Sequence, residues 1–267
     1  MPRVSVVMPV RQPRLDWLRE AVASVLAQTL RDFELLVVVD DEASLEGFLA
    51  TFGDGRIRHL HLPHRPGLPA ALNFGLAHAQ APLIARLDAD DVAEPSRLER
   101  QVEMFDRDPS LDVAGAQILV IDEESAPIGH RQYPLTHEAM VEAMQRFNCL
   151  AHPAVMFRRQ RILDAGGYAA VAMEDYDLWC RLVVLGARFG THPETLIRYR
   201  YHRGITRKNI GHTIRATIDI KKRHFGAALT MRARSRIALE RLLLLLPAPL
   251  VATLFRASQF TAPPPER

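Results

Sequence analysis

The chain has 267 residues, 48% of them hydrophobic and 24% charged, which fits one large α/β domain or one domain with an appendage. Its two cysteines, Cys149 and Cys180, exclude a disulfide framework and, lacking C-x-x-C or Cys/His spacing, a thiolate metal site. The net charge of +3 conceals an asymmetry: the chain is −7 up to His202 and +10 from Arg203 onward, an acidic body with a basic tail that suits a polyanionic partner.

Met1-Pro2-Arg3 leads straight into the apolar run Val4 to Val10, too short and too soon ended for a signal peptide, so export is not expected. That run reads as a strand buried on both faces of a parallel sheet. Leu15, Leu18, Val22, Val25 and Leu26 recur at helical spacing and predict a helix from about Arg14 to Gln28. Phe33 to Val39 predicts a second strand, ending in Asp40-Asp41, and Arg56 to Leu62 a third. A helix over about 69–79 and a strand over 82–87 follow, and that strand ends in Asp88-Ala89-Asp90-Asp91. Strands and helices alternating in this way predict right-handed βαβ units in a mostly parallel, doubly wound sheet with helices on both faces. Two strands ending in acids then converge on one crevice beyond the carboxyl edge, where such sheets bind ligands.

Three carboxylates in four residues repel one another, and they are tolerable when solvated, paired with Arg or neutralised by a cation. Mg²⁺ or Mn²⁺, held by one or two carboxylates and completed by substrate phosphates, suits the pattern. The competing reading is a helix start, because Glu94-Pro95-Ser96 follow closely. The chain has neither G-x-x-x-x-G-K-[ST] nor G-x-G-x-x-G after its first strand, which leaves metal-assisted phosphate binding.

Further on, a helix is expected over about 95–108, an apolar run over 113–121, a short helix over 138–147 and a strand returning over 151–157. His152 there either lines the pocket or serves as a hydrogen-bonded structural group. Met173 to Trp179 holds a second acidic knot at the start of a helix, with Leu178, Leu182 and Leu185 at helical spacing. The segment 197–202 reads as a strand ending at His202. The tail predicts helices over 210–225 and 228–246, then a leucine run broken by Pro247 and Pro249. It is shorter than the roughly 20 apolar residues a spanning helix needs. A basic amphipathic segment joined to a short apolar one suits an anionic membrane surface; the alternative is packing on the domain or on a second subunit. The last seven residues, 261–267, with three consecutive prolines, are expected to be disordered.

The run from Val4 to about His202 resembles a bacterial inverting family 2 glycosyltransferase of the GT-A fold. The motifs are VSVVMPV at 4–10, FELLVVVDD at 33–41, PGLPAALNFGLAHA at 66–79, IARLDADD at 84–91, PSRLERQVEMF at 95–105, HPAVMFRR at 152–159, EDYDLWCRL at 174–182 and YRYH at 199–202. The resemblance implies a catalytic domain over 1–202, with a nucleotide-sugar half to about 110 and an acceptor half over about 111–202, then a basic helical tail over 203–260. It implies that Pro9, Val10 and Asp40 hold the nucleobase, with Asp41 as the fallback for Asp40, and that Asp88 contacts the ribose. Asp90 would bind a divalent metal, Mg or Mn, on the diphosphate, His202 would complete the metal shell or touch the diphosphate, and Asp91 would cap the following helix. Asn73 belongs to the glycine-rich donor segment. Asp175 would be the general base, Glu174 its neighbour that positions the acceptor, and Asp177 the alternative base.

Two positions depart from the family pattern. Arg11 stands where many relatives have an aromatic residue, and Leu72 where many have Arg, which makes Arg65 a candidate substitute cation. The function implied is metal-dependent, inverting hexosyl or N-acetylhexosaminyl transfer from a nucleoside-diphosphate sugar, UDP foremost. The acceptor would be a hydroxyl of a glycan or lipid-linked molecule in cell-surface polysaccharide synthesis, in the cytoplasm or at the inner face of the membrane. Nucleotidyl transfer on a related fold is the rival enzyme, but it expects a glycine-rich loop where Pro9-Val10-Arg11-Gln12-Pro13 stands. An inactive scaffold whose tail binds a polyanion is the other rival. Nucleic acid is not an expected partner, because the basic residues lack interleaved aromatics beyond Phe225.

Overall fold

The computed structural model describes residues 1–40, 45–62, 64, 66–202, 210–247 and 250–251. Asp41, Arg65 and the segments 203–209 and 261–267, for which expectations were stated, lie outside the described residues. The first half runs β1 (Val4–Val10), α1 (Leu15–Leu26), β2 (Phe33–Val39), α2 (Glu46–Ala50), β3 (Ile57–His61), α3 (Leu68–His78) and β4 (Leu83–Arg86). The strands pair in parallel in the order β3-β2-β1-β4. Alternate residues of β1 and β2 point to opposite faces, and both faces are buried. Val4, Val6, Met8 and Val10 enter one core with Leu18, Val22 and Phe105, while Val7, Leu36 and Val38 enter the other with Leu72 and Leu76. Helix α3 lies close on β1 because residue 75 is glycine: a Cβ there would sit 2.5 Å from Val7 Cγ1.

The second half extends the same sheet. It runs β5 (Val92–Ala93), α4 (Arg97–Arg107), β6 (Val113–Ile121), β7 (Pro127–Arg131), α5 (His137–Met144), β8 (Met156–Arg158), α6 (Arg159–Asp164), α7 (Glu174–Val184) and β9 (Phe189–Arg200). The order continues β4-β8-β6-β9-β5, with β7 on β6. Here the sheet is mixed. β8 runs antiparallel to both β4 and β6, so β6 and β9 point the same way as the first four strands, whereas β5 and β7 are antiparallel to their neighbours. The doubly wound α/β character is as expected; the parallel pattern is interrupted where β8 enters after a short 3-10 turn at His152–Ala154.

Several boundaries move for local reasons. The helix expected from 95 begins at Arg97, and no side chain caps it. β9 begins at Phe189, earlier than its apolar end indicates, because its first half pairs with β6 through the polar stretch around Thr191 and His192. The tail forms α8 (Ile210–Phe225) and α9 (Met231–Leu243). The second starts later than 228 because Gly226–Ala228 makes a 3-10 turn and Thr230 caps the helix, its hydroxyl accepting from Ala233 N at 3.2 Å. Among the described residues no helix is long and apolar enough to cross a membrane.

The two tail helices share a small core of Ile210, Ile214, Ile218, Ile237 and Val251. Ile220 and Phe225 of α8 join the core that holds Trp179 and Tyr176 of α7. Between α8 and α9, Lys221 is wholly buried and its ammonium donates to both carboxylate oxygens of Glu240, at 2.7 and 2.8 Å.

Candidate active site

β4 ends at Arg86, and the chain beyond it delivers Asp88, Asp90 and Asp91, each with a carboxylate oxygen within 4.8 Å of the others. Different neighbours hold the three acids. Asp88 is gripped by both terminal nitrogens of the buried Arg86, one of them at 2.6 Å. Asp90 accepts from His202 Nε2 at 2.6 Å. Asp91 Oδ1 accepts from the backbone N–H of Arg200 at 2.7 Å, while its Oδ2 is buried with no partner among the described residues. Burial, then the charges of Asp88 and Asp90, push the Asp91 carboxyl well above the ordinary range. Burial likewise raises Asp88, against the opposing charge of Arg86. The expectation that Asp91 caps the next helix is corrected: it fastens β9 to the acid cluster, and α4 starts six residues later.

Arg200 completes this corner. It is buried, its Nε donates to Asp90 O at 2.9 Å, and Nη2 donates to Glu20 at 2.6 Å. The Trp17 ring lies 5.1 Å from the Arg200 guanidinium carbon and 5.0 Å from the His202 ring. His202 thus reaches the acid cluster from the far end of β9, with an aromatic wall behind it.

On the donor side, β2 ends at Asp40, which is 2% exposed. Its backbone N–H donates to Val10 O at 2.9 Å, and its Oδ2 accepts from Gly67 N at 3.1 Å. Oδ1 is buried and, among the described residues, has no partner. A buried carboxylate oxygen left without a donor is an open position for an incoming N–H. Val10 itself is buried in the core and Pro9 is half-buried beside it. Asn73 has another role among the described contacts. Its amide donates to Tyr168 O and accepts from Tyr168 N, both at 2.8 Å, and it lies so close to Gly167 that a Cβ there would meet Asn73 Oδ1 at 2.5 Å. It fastens the turn before the second acidic knot.

That knot opens α7. Met173 takes a left-handed conformation, φ 59°, rare for a residue with a side chain, and Glu174, Asp175 and Asp177 fill the first turn. Asp175 Oδ2 accepts from Asn148 Nδ2 at 2.7 Å. Burial raises the Asp175 carboxyl above its ordinary value, against the Tyr176 N–H and the Asn148 amide, which lower it. Arg86, which grips Asp88, donates its backbone N–H to Val155 O at 3.0 Å, close after His152, the neighbour of Glu174, so the two acidic knots lie at the same end of β4; the charge of Asp175 also raises Asp88. Burial, then the charge of Asp175, raises Glu174, whose Oε1 lies 4.0 Å from His152 Nδ1. His152 is buried and shares a 3.0 Å hydrogen bond with the Tyr168 hydroxyl; burial, then the charge of Arg86, hold it well below 6.5 and therefore neutral. Asp177 faces the other way. It is buried against the tail, bonded to His224 Nε2 at 2.8 Å and to Arg223 and Arg181 at 3.2 and 3.3 Å, which removes it as an alternative base.

Asp40, Asp88, Asp90, His202, Glu174 and Asp175 therefore surround the carboxyl edge of the sheet. Sequence reasoning missed Asn148, which orients Asp175, Arg86, which orients Asp88, and Arg200 with Trp17 behind His202. Of these, Arg86 alone left a signal, a cation inside an apolar strand two residues before the acids.

Residues 5–165 match the family model described as glycosyl transferase family 2. The chain is 33% identical over 214 residues to the O-antigen biosynthesis glycosyltransferase WbnJ of Escherichia coli, covering 77% of this chain and 82% of that protein. It is 25% identical over 217 residues to the UDP-Gal:alpha-D-GlcNAc-diphosphoundecaprenol beta-1,3-galactosyltransferase of Escherichia coli, covering 79% and 78%. Among solved structures it resembles the mannosyltransferase PcManGT from Pyrobaculum calidifontis, in complex with GDP-Man and Mn²⁺. The TM-score is 0.66 at 16% identity, over 96% of this chain and 73% of that one, a likeness of fold that identifies the GT-A architecture.

Proposed function

The chain belongs to glycosyl transferase family 2, and we propose that it moves a sugar with inversion from a nucleoside-diphosphate sugar to a hydroxyl of a glycan or lipid-linked acceptor in cell-surface polysaccharide synthesis. The observation that carries this reading is the gathering of two acidic knots, Asp88-Asp90-Asp91 and Glu174-Asp175, at the same end of β4. Asp40 Oδ1 accepts the ring N–H of the base, a role its unpartnered, buried state supports. Uracil and guanine both offer such an N–H; uridine is favoured because the galactosyltransferase relative uses UDP-Gal by its name. Asp88, held by Arg86, receives the ribose hydroxyls.

A divalent cation fits the oxygen-rich cluster, with Asp90 and His202 as its protein ligands. Bound there with the diphosphate, it would neutralise the charge that develops on the leaving group. Asp175 takes the proton of the acceptor hydroxyl. Asn148 orients it by bonding one of its oxygens, and its raised affinity for a proton makes it a stronger base than a solvated carboxylate. Glu174, beside the neutral His152, orients the acceptor. The diphosphoundecaprenol acceptor in the name of the same relative supports a lipid-linked acceptor, and with it work at the cytoplasmic face of the membrane.

The test is thermal stabilisation by UDP-, GDP- and dTDP-sugars, each with and without Mn²⁺, on the native chain and on Asp90→Ala. A donor at a hundredfold excess over its Kd adds about 2.7 kcal/mol to the native state. Metal-dependent stabilisation by one nucleotide class, lost in the variant, is expected. Stabilisation by none of them would defeat the donor assignment.

A further inference from the structure

A cleft of about 480 Å³ opens between α8 and α9, lined among others by Lys222, Leu229, Arg234, Ile237, Ala238 and Arg241. Its three cations differ from their neighbours. Lys221 and Arg236 are paired with Glu240, and Arg232 with Glu142. Among the described residues, no carboxylate bridges to Lys222, Arg234 or Arg241. The Arg234 guanidinium is nonetheless fixed at the rim, donating to the carbonyls of Ala227 and Leu229 at 3.0 Å each. A guanidinium anchored by neutral carbonyls keeps its charge and its remaining N–H groups for an anion.

The side of α9 that carries these arginines is also apolar. Met231, Arg234, Ala238, Arg241 and Leu242 follow helical spacing along one side, and Leu245 lies in the turn that ends the helix. Met231 is 77% exposed, Leu242 61% and Leu245 80%. The adjoining side, Ala233, Ile237 and Glu240, is buried and holds α9 on its partner, with Ile237 also in the wall of the cleft. Large aliphatic side chains standing in solvent beside unpaired cations fit an interface that is charged at one depth and hydrocarbon at the next.

We propose that this cleft seats the phosphate headgroup of an anionic phospholipid while Met231, Leu242 and Leu245 enter the acyl boundary, docking the protein on a bilayer through α9. Cations alone would serve a soluble polyanion, which has no use for the exposed leucines, and no aromatic side chain lines the cleft for a base to stack on. A second copy of the chain is disfavoured by the +10 charge that both copies would bring from Arg203 onward. The inference goes beyond the sugar-transfer reading and stands independently of it.

The test is co-sedimentation of the full chain with phosphatidylcholine vesicles and with equimolar phosphatidylcholine–phosphatidylglycerol vesicles. The native protein pellets with the anionic vesicles alone. Lys222→Gln/Arg234→Gln/Arg241→Gln weakens that binding about a hundredfold, at about 1 kcal/mol for each cation near the surface. Leu242→Ser/Leu245→Ser weakens it at least about tenfold. Circular dichroism and donor-dependent stabilisation remain native in both; if loss of Arg234 disturbs the turn, Lys222→Gln/Arg241→Gln carries the test with an effect of about thirtyfold. Equal pelleting with neutral vesicles would overturn the proposal, as would undiminished binding by the charge variants. Stabilisation by inorganic phosphate without any pelleting would also overturn it, in favour of a free-anion site.

Discussion

Between α8 and α9, Lys221 and Glu240 are buried together and every charged atom of the pair has a partner, whereas at the edge of the sheet Asp40 Oδ1 and Asp91 Oδ2 are buried with none among the described residues. The two regions treat the same cost differently. In the appendage the chain itself satisfies the charge, and the result is a fixed helix pair. In the crevice, acids are desolvated, crowded and partly unpartnered, a condition the fold tolerates where a ligand supplies the missing donors. The saturated pair belongs to the architecture of the appendage, and the two open carboxylate oxygens belong to the crevice.

The largest expected break in that contrast is Asp175→Asn, which keeps the shape of the site and removes the proposed base. It should lower kcat by about two to four orders of magnitude, while donor-dependent stabilisation stays native. The pH profile sharpens the assignment. Because the base acts as a carboxylate and its pKa is raised above 3.8, turnover of the native enzyme should fall as pH drops through a limb lying above that value. The sign for stability is the reverse: the charged form of this carboxyl is the one the fold disfavours, so its contribution weakens as pH rises past the ordinary value. A native-like acid limb surviving in Asp175→Asn would move the base elsewhere.

On the saturated side, Lys221→Ala strands Glu240, whose remaining partner is Arg236 at 3.1 Å. Chemical denaturation should show a loss of about 3 kcal/mol. Donor binding by the protein that remains folded should be unaffected. Smaller again is Asp40→Ala. It removes one acceptor from the base, so donor Kd measured by calorimetry should rise about tenfold or somewhat more. Stability should change little, because Asp40 gives up a single backbone hydrogen bond, from Gly67. A large stability loss with unchanged Kd would make Asp40 architecture after all.

The sheet edge was readable because its signals are local. Apolar runs at Val4 to Val10 and Phe33 to Val39 appear as β1 and β2 with the same bounds, and α8 spans the expected 210–225. The acids follow their strands directly in sequence, so their convergence follows from βαβ topology. What escaped depends on distant partners. Asp91 looks like a helix cap until Arg200, 109 residues later, donates to it. Asn148 gains its meaning only when α7 brings Asp175 to it, and Asn73 only when Tyr168 closes on both ends of its amide. The early part of β9 is polar, and its strand character comes from pairing with β6 rather than from its own composition.

Asp177 has a consequence for how the protein can be divided. The carboxylate two residues after Asp175 is clasped by His224 and Arg223 of α8, and Phe225 packs in the core that also holds Trp179. The helix that presents Asp175 therefore has its outer side finished by the tail. An enzyme built this way cannot exchange its C-terminal helices for those of a relative as one would change a label, because a graft without the His224 contact would leave an acid buried next to the catalytic turn. The tail and the helix that carries Asp175 are inherited together.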